Sequence, residues 1–313
     1  MDKFFTVTKI ILLLSVVKFS VPCEETFSNT HVTLVGAKNV KTITGCFSPT
    51  EDLVKVTYIQ IINGSVPILK KDAINSLPNL VDVILDNNNI TDLQSGCFYN
   101  LTKLYLIKLR YNNFKTIREG VFNNLPITEL CLTNNNIESI HPKAFNNIEN
   151  LKLLSIDENK IGYWSGEWFK GSPKLAVLDF KVNHITSIPF RAFRNVKGVH
   201  YSRDLNLNIS TNIFLHNNRI KYISDGAFDG IQAFGWLFLH RNELEEISEA
   251  SLGTLQTIDW IRLEHNYLKC IPDKLVQISP KVLYYLTNNP LTDDCKNKFD
   301  ALKSDGNSSN IFE

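Results

Sequence analysis

Leu80-Val81-Asp82-Val83-Ile84-Leu85-Asp86-Asn87-Asn88-Asn89-Ile90 is the stretch that decides the fold. Its apolar side chains alternate across a short span, and an asparagine closes the span before the next apolar residue. The same spelling, LxxLxLxxNxL, returns as Leu104-Ile107-Leu109-Asn112-Phe114 and as Leu175-Leu178-Phe180-Asn183-Ile185. It recurs about ten times, mostly at intervals of 23 or 24 residues. A unit of that size cannot bury an apolar face alone, so successive units must stack into a solenoid with one continuous core. Within each unit the alternation predicts a short parallel strand, with the two central leucine positions pointing inward and the residues between them outward.

The strand centres read Ile61, Leu85, Leu109, Leu132, Ile156, Phe180, Leu215, Leu239, Leu263 and Leu286. Behind most of them stands an asparagine, from Asn88 through Asn112, Asn135, Asn159, Asn183, Asn218, Asn242 and Asn266 to Asn289. A buried amide there can hydrogen-bond the backbones of adjacent coils. Thirteen residues past most centres comes a phenylalanine: Phe98, Phe122, Phe145, Phe169, Phe193 and Phe228. These rings are expected to stack as a spine on the convex side. One interval is longer, from Phe180 to Leu215. The extra residues, around 199–209 and including Tyr201, form either a looped-out insertion or a degenerate coil.

Composition sets outer bounds. The 313 residues carry 33 basic and 32 acidic side chains, a formal net charge of +1, which gives no argument for nucleic acid or an anionic membrane as partner. Lys3 and Lys9 lead into the apolar run Ile10 to Val17, which turns polar near Cys23-Glu24-Glu25. The run is too short to span a bilayer and reads as a signal peptide over residues 1–22, cleaved between Ser20 and Cys23. No later apolar stretch reaches transmembrane length, and the tail Ser304 to Glu313 lacks the hydrophobic end of a lipid-anchor signal. A secreted, extracellular protein is expected, with an N-terminal cap over 23–55, repeats over 56–291, and a C-terminal cap and polar tail over 292–313. In an oxidising compartment Cys270 and Cys295, which bracket the last repeat, are expected to pair, and Cys23 can pair with Cys46 if cleavage retains it.

Over residues 56–291 the repeats resemble the extracellular leucine-rich repeats of Toll-like receptor ectodomains and of secreted insect immune proteins. The resemblance implies an α/β leucine-rich repeat solenoid of about ten repeats. In such a horseshoe a parallel β-sheet lines the concave face, and irregular loops with short helical turns line the convex face. It implies extracellular recognition, as in invertebrate innate immunity, but does not specify a ligand. The chain departs from those examples in showing neither a coiled-coil tail after the cap nor a transmembrane and signalling part.

The outward strand positions give the concave surface coil by coil. Early coils offer Asp82, Ile84, Asp86, Lys108, Arg110, Glu129, Asp157, Glu158, Asp179 and Lys181, a mixture without an anchor. Later coils offer Phe214 and His216, then Trp236, Phe238 and His240, then Trp260, Arg262 and His265, then Tyr285. Outward aromatics on adjacent strands would form one apolar patch, and folding gives no reason to expose them. Trp236, Phe238 and Trp260 are therefore expected as anchors, with Phe214 and Tyr285 beside them and His240 and Arg262 as polar rim, since Trp and Arg dominate binding hot spots. The bland alternative is that these rings merely pack on one another or under the C-terminal cap. His216, His240 and His265 are expected on one face of successive coils, but strand spacing alone makes them neighbours, and no metal or other cofactor is expected.

Five sequons, at Asn63, Asn89, Asn100, Asn208 and Asn307, are candidate glycan sites. Glycans at Asn63 and Asn89 would crowd the N-terminal edge and leave the C-terminal half of the concave face open. Cys97 takes a slot held elsewhere by Ala144, Ala192 and Ala227 and is expected in the core. Cys131 lies between inward Leu130 and Leu132, so it faces the concave side, where an unpaired thiol either is an accident of sequence, the favoured reading, or links two chains into a dimer. No HExxH, GxSxG or phosphate-loop pattern occurs, which argues against an enzyme. The expected function is non-catalytic binding of an extracellular protein or a microbial or cell-surface ligand. Two alternatives share the architecture: a soluble decoy of a receptor, and a matrix or adhesion component.

Overall fold

The computed structural model describes residues 25–36, 42–196, 211–231, 233–279, 282 and 285–303. The signal-peptide reading, Cys23, Asn208, Asn307 and Tyr201 lie outside the described residues.

A ten-stranded sheet runs the length of the molecule. Its first strand, Thr33–Val35, pairs antiparallel with Tyr58–Gln60. From there Asp82–Ile84, Leu106–Lys108, Glu129–Cys131, Leu153–Ser155, Val177–Asp179, Thr211–Phe214, Ala233–Phe238 and Thr257–Arg262 follow in chain order, each parallel to the last. Register is strict. Ile59, Val83, Ile107, Leu130, Leu154, Leu178, Ile213, Leu237 and Ile261 form one buried row across the sheet. The strands therefore centre on the first inward residue of each unit rather than the second. The ladder continues to the second, as where Leu85 N–H donates to Lys108 O at 2.8 Å. In the tenth unit the ladder persists without a strand, with Leu263 N–H donating to Tyr285 O.

Each coil leaves the strand through a residue in the left-handed region, which frees the next position for the ladder asparagine: Asn87 before Asn88, Tyr111 before Asn112, Arg241 before Asn242. The asparagines then satisfy the backbone between coils. Asn112 Oδ1 accepts from the backbone N–H of Asn88 and Ile90, both at 3.0 Å, while its Nδ2 donates to Leu85 O and Leu109 O. The pattern recurs down to Asn289, which accepts from Leu268 N–H and donates to Leu263 O, except that Asn135 keeps only the donor half, to Leu109 O, with its Oδ1 buried without a partner among the described residues.

The phenylalanine spine is continuous only in parts. Phe98, Phe122 and Phe145 stack at 6.1 and 6.4 Å, and Phe193 stacks on Phe228 at 5.6 Å. Between these runs Trp164 and Trp168 enter the core and break the column: Trp168 lies parallel to Phe180, and Trp164 packs on Phe169, Phe180 and Phe193. Across the long interval Val177–Asp179 pairs directly with Thr211–Phe214, and the extra residues lie outside the described residues.

Both ends are capped. Phe27–His31 and Thr42–Gly45 form an antiparallel pair, with Phe27 packed on Phe47. Cys46 is disulfide-bonded. At the other end α1 (Asp273–Ile278) and α2 (Asp293–Lys303) close the core, Phe299 is fully buried, and Lys298 pairs with Asp273 across the two helices. A disulfide joins Cys270 to Cys295.

Candidate concave-face binding site

Parallel register aligns outward side chains into rows across the sheet. One row holds Asn212, Trp236 and Trp260. The next holds Asp179, Phe214, Phe238, Arg262 and Tyr285, and a third holds Lys181, His216, His240, Glu264 and Thr287. The five aromatic candidates thus share one face. Trp236 stacks on Phe238 at 6.0 Å, Phe214 meets Phe238 edge-on at 5.2 Å, and Trp260 lies 5.7 Å from Tyr285. The Arg262 guanidinium sits over the Phe238 ring at 5.7 Å. The rings do pack on one another, yet Trp236 stays 47 % exposed and Trp260 40 %. A groove of about 570 Å³ runs from these two tryptophans past Asp259 to Ile278 and Ser279 beside α1. The cap therefore borders the patch and does not cover it.

The three histidines line one pocket on this face, as expected, though not in one row. His216 and His240 do align, but the third place belongs to Glu264, and His265 lies one residue further on, at the left-handed turn with φ 56°. Strict alternation from Trp260 through Arg262 leads to Glu264, and His265 occupies the turn that follows it. His216 and His240 stack face to face at 4.3 Å, 12° from parallel, so their ring nitrogens do not converge as metal ligands would. Among the described residues no group of three or more His, Cys, Asp or Glu side chains is arranged to hold a metal ion. Burial lowers His216 to about 4 with help from Lys181 and Arg262, and lowers His240 to about 3 with help from His216 and Arg262. Both rings are thus neutral at pH 7. Reading the sequence missed Glu264, the partner of Arg262 (Nε to Oε1, 3.0 Å), and Arg241, which the turn swings to the same side.

In the early coils several of the concave charges are paired with one another. Arg110 donates through Nε and a terminal nitrogen to Asp86 Oδ2. Lys181 bridges Asp157 at 3.0 Å and Asp179 at 2.5 Å. Burial alone would raise Asp157, but hydrogen bonds from Ser155, Thr133 and Lys181 outweigh it and hold the carboxyl below its ordinary value. Groups already paired offer a ligand less than groups that are not. Asn63, Asn89 and Asn100 are exposed and sit at left-handed turn positions. Cys97 is buried and unpaired. Cys131 is unpaired and half-buried on the concave face, where burial raises its thiol pKa and keeps it protonated.

The chain matches the family model described as BspA type leucine rich repeat region, in overlapping segments 23–152, 67–200 and 115–223, and a second model described as leucine rich repeat over 211–268. Among curated relatives it is 26 % identical to lumican of Gallus gallus over 188 residues, covering 58 % of this chain and 49 % of lumican. It is 25 % identical to Toll-like receptor 3 of Boselaphus tragocamelus over 201 residues, covering 51 % of this chain and 22 % of the receptor. The chain thus spans about half the length of lumican and less of the receptor. Among solved structures it resembles the TLR13–ssRNA13 complex with a TM-score of 0.54 and 21 % identity, over 76 % of this chain and 31 % of that one, a likeness of fold alone. Among the described residues no helix is long and apolar enough to cross a membrane.

Proposed function

The chain belongs to the leucine-rich repeat family, and from that premise we propose that it is a secreted, non-catalytic binding protein that recognises an extracellular protein or a surface ligand through its concave face. Its kinship with extracellular matrix proteoglycans and Toll-like receptors supports ligand binding outside the cell. The observation that carries the reading is the aromatic patch of Phe214, Trp236, Phe238, Trp260 and Tyr285. Two half-exposed tryptophans stand there on outward positions that the fold does not need filled. Trp236, Phe238 and Trp260 act as anchors, and Arg262, oriented by Glu264, closes the rim. Recognition in innate immunity is the setting drawn from the receptor relatives. A matrix role is the second reading, favoured by the similarity to lumican, an extracellular matrix protein.

The test compares wild type with Trp236→Ala/Trp260→Ala as baits against the source animal's body fluid and against microbial surfaces. A partner retained by wild type and lost by a double variant with an unchanged far-ultraviolet spectrum supports the reading. Equal capture by both moves the site away from the patch. No capture, together with recovery of the native protein only by matrix extraction, favours the structural role.

A further inference from the structure

Next to the aromatic patch lies a polar pocket of about 410 Å³, lined among others by His216, His240, Arg241, Arg262, Glu264 and His265. Its chemistry is unbalanced in an instructive way. Glu264 is 8 % exposed, and only its Oε1 is engaged, by Arg262. Glu264 Oε2 and the Nδ1 atoms of His216 and His240 are buried without a hydrogen-bond partner among the described residues. A buried acceptor without a donor is costly, and such groups call for an explanation. A carboxylate's last torsion is soft, so a small rotation turns Oε2 toward the pocket. Donors line the same space: the guanidiniums of Arg241 and Arg262.

A fitting ligand must therefore donate and accept within a few ångströms while carrying no net charge. A carboxylate or phosphate drawn to the arginines would meet Glu264, and an ammonium drawn to Glu264 would meet Arg241 and Arg262. A hydroxyl does both tasks on one atom. A ligand with several hydroxyls on one edge and an apolar C–H face on the other would use the pocket and the adjoining ring surface of Trp236, Phe238 and Trp260 together. We infer that the C-terminal concave face binds a neutral oligosaccharide, with one sugar ring laid on the tryptophan patch and the hydroxyls of a neighbouring ring, across the Phe238–Arg262 row, bonded to Glu264, His240 and Arg241. This deepens the concave-face reading above, and rests on it, by naming the ligand class of that site.

The experiment titrates the full chain with neutral oligosaccharides of N-acetylglucosamine, mannose and β-1,3-linked glucose, following tryptophan emission. Trp164 and Trp168 are buried, so the signal reports Trp236 and Trp260. At least one sugar should shift the emission saturably. Glu264→Gln and Arg241→Ala should each weaken that sugar's binding about tenfold or more, the loss expected for a hydrogen bond to a charged group. Having both variants keeps the test decisive if one fails to fold. No response to any neutral sugar overturns the inference, as does binding only of sulfated sugars or a neutral sugar bound equally by both variants. A protein partner still captured through Trp236 and Trp260 while all sugars fail would sink the saccharide and leave the concave-face reading standing. Loss of neither on removing both tryptophans would sink the reading itself.

Discussion

At Val182 the backbone holds a β-branched residue in the left-handed region, φ 53°, because every coil turns out of its strand at that place. Several other coils meet the position with an asparagine, Asn87, Asn134, Asn217 and Asn288, which tolerates it, and none of the rest is β-branched. Val182 is exposed, so replacing it sacrifices little packing. Val182→Asn should stabilise the chain by about 1 kcal/mol, read as a higher urea midpoint at unchanged slope; an equal or lower midpoint would refute the strain. The stacked histidines act in the opposite sense. Above pH 6.5 His216 and His240 are neutral both folded and unfolded, and they leave stability independent of pH. As pH falls, the unfolded chain takes up protons near 6.5, whereas the folded rings resist until about 4 and about 3. Stability is therefore lost across that window as acidity rises. His216→Phe/His240→Phe should flatten the decline in melting temperature between pH 6.5 and 4, and a decline parallel to wild type would contradict the depressed values.

Among the elements, the C-terminal cap depends on one covalent tie. The Cys270–Cys295 disulfide closes a segment of 25 residues that includes α1 and the start of α2. Removing it frees that loop in the unfolded chain, so Cys270→Ser/Cys295→Ser should cost roughly 3–4 kcal/mol. Amide exchange should show α2 opening before the central coils; coincident exchange of cap and centre would mean that the cap unfolds only with the whole. This pair was legible in the sequence, as were the inward leucines, the ladder asparagines and the outward aromatics, because each is fixed by a strict period. What the period does not encode was missed. Phe169 fills its expected slot, yet Trp164 and Trp168 displace the stacking around it, because three large rings in one coil compete for space that elsewhere holds one. Glu264 was legible by strict alternation from Arg262 and was passed over for His265, which sits one residue later at the left-handed turn. The flanking two-stranded ladders, such as Thr116–Ile117 with Ser139–Ile140, were invisible because two residues carry no periodic signal.

For the whole molecule the two ends of the concave face are set for different environments. Asn63 and Asn89 project from the first coils. The strand Asp82–Ile84 and the strand Ala233–Phe238 are six steps apart in the sheet, about 29 Å at the usual strand spacing. A glycan on the early coils leaves the aromatic patch uncovered, so Asn63→Gln/Asn89→Gln/Asn100→Gln should bind the partner as wild type does. A glycan moved into the patch should not be tolerated. Asn212 stands in the row of Trp236 and Trp260, with its Oδ1 accepting from Trp236 N–H at 2.9 Å, and Phe214→Thr converts Asn212-Ile213-Phe214 into an acceptor sequence. Phe214→Ala removes the same ring without adding sugar, and it separates loss of one aromatic contact from obstruction of the face. The expected order is a moderate loss of affinity for Phe214→Ala and abolition for glycosylated Phe214→Thr, restored to the level of Phe214→Ala by enzymatic deglycosylation. Full binding by the glycosylated form, verified by mass, would mean that the ligand docks elsewhere on the solenoid, because a branched sugar at Asn212 and a partner on Trp236 cannot share the same surface.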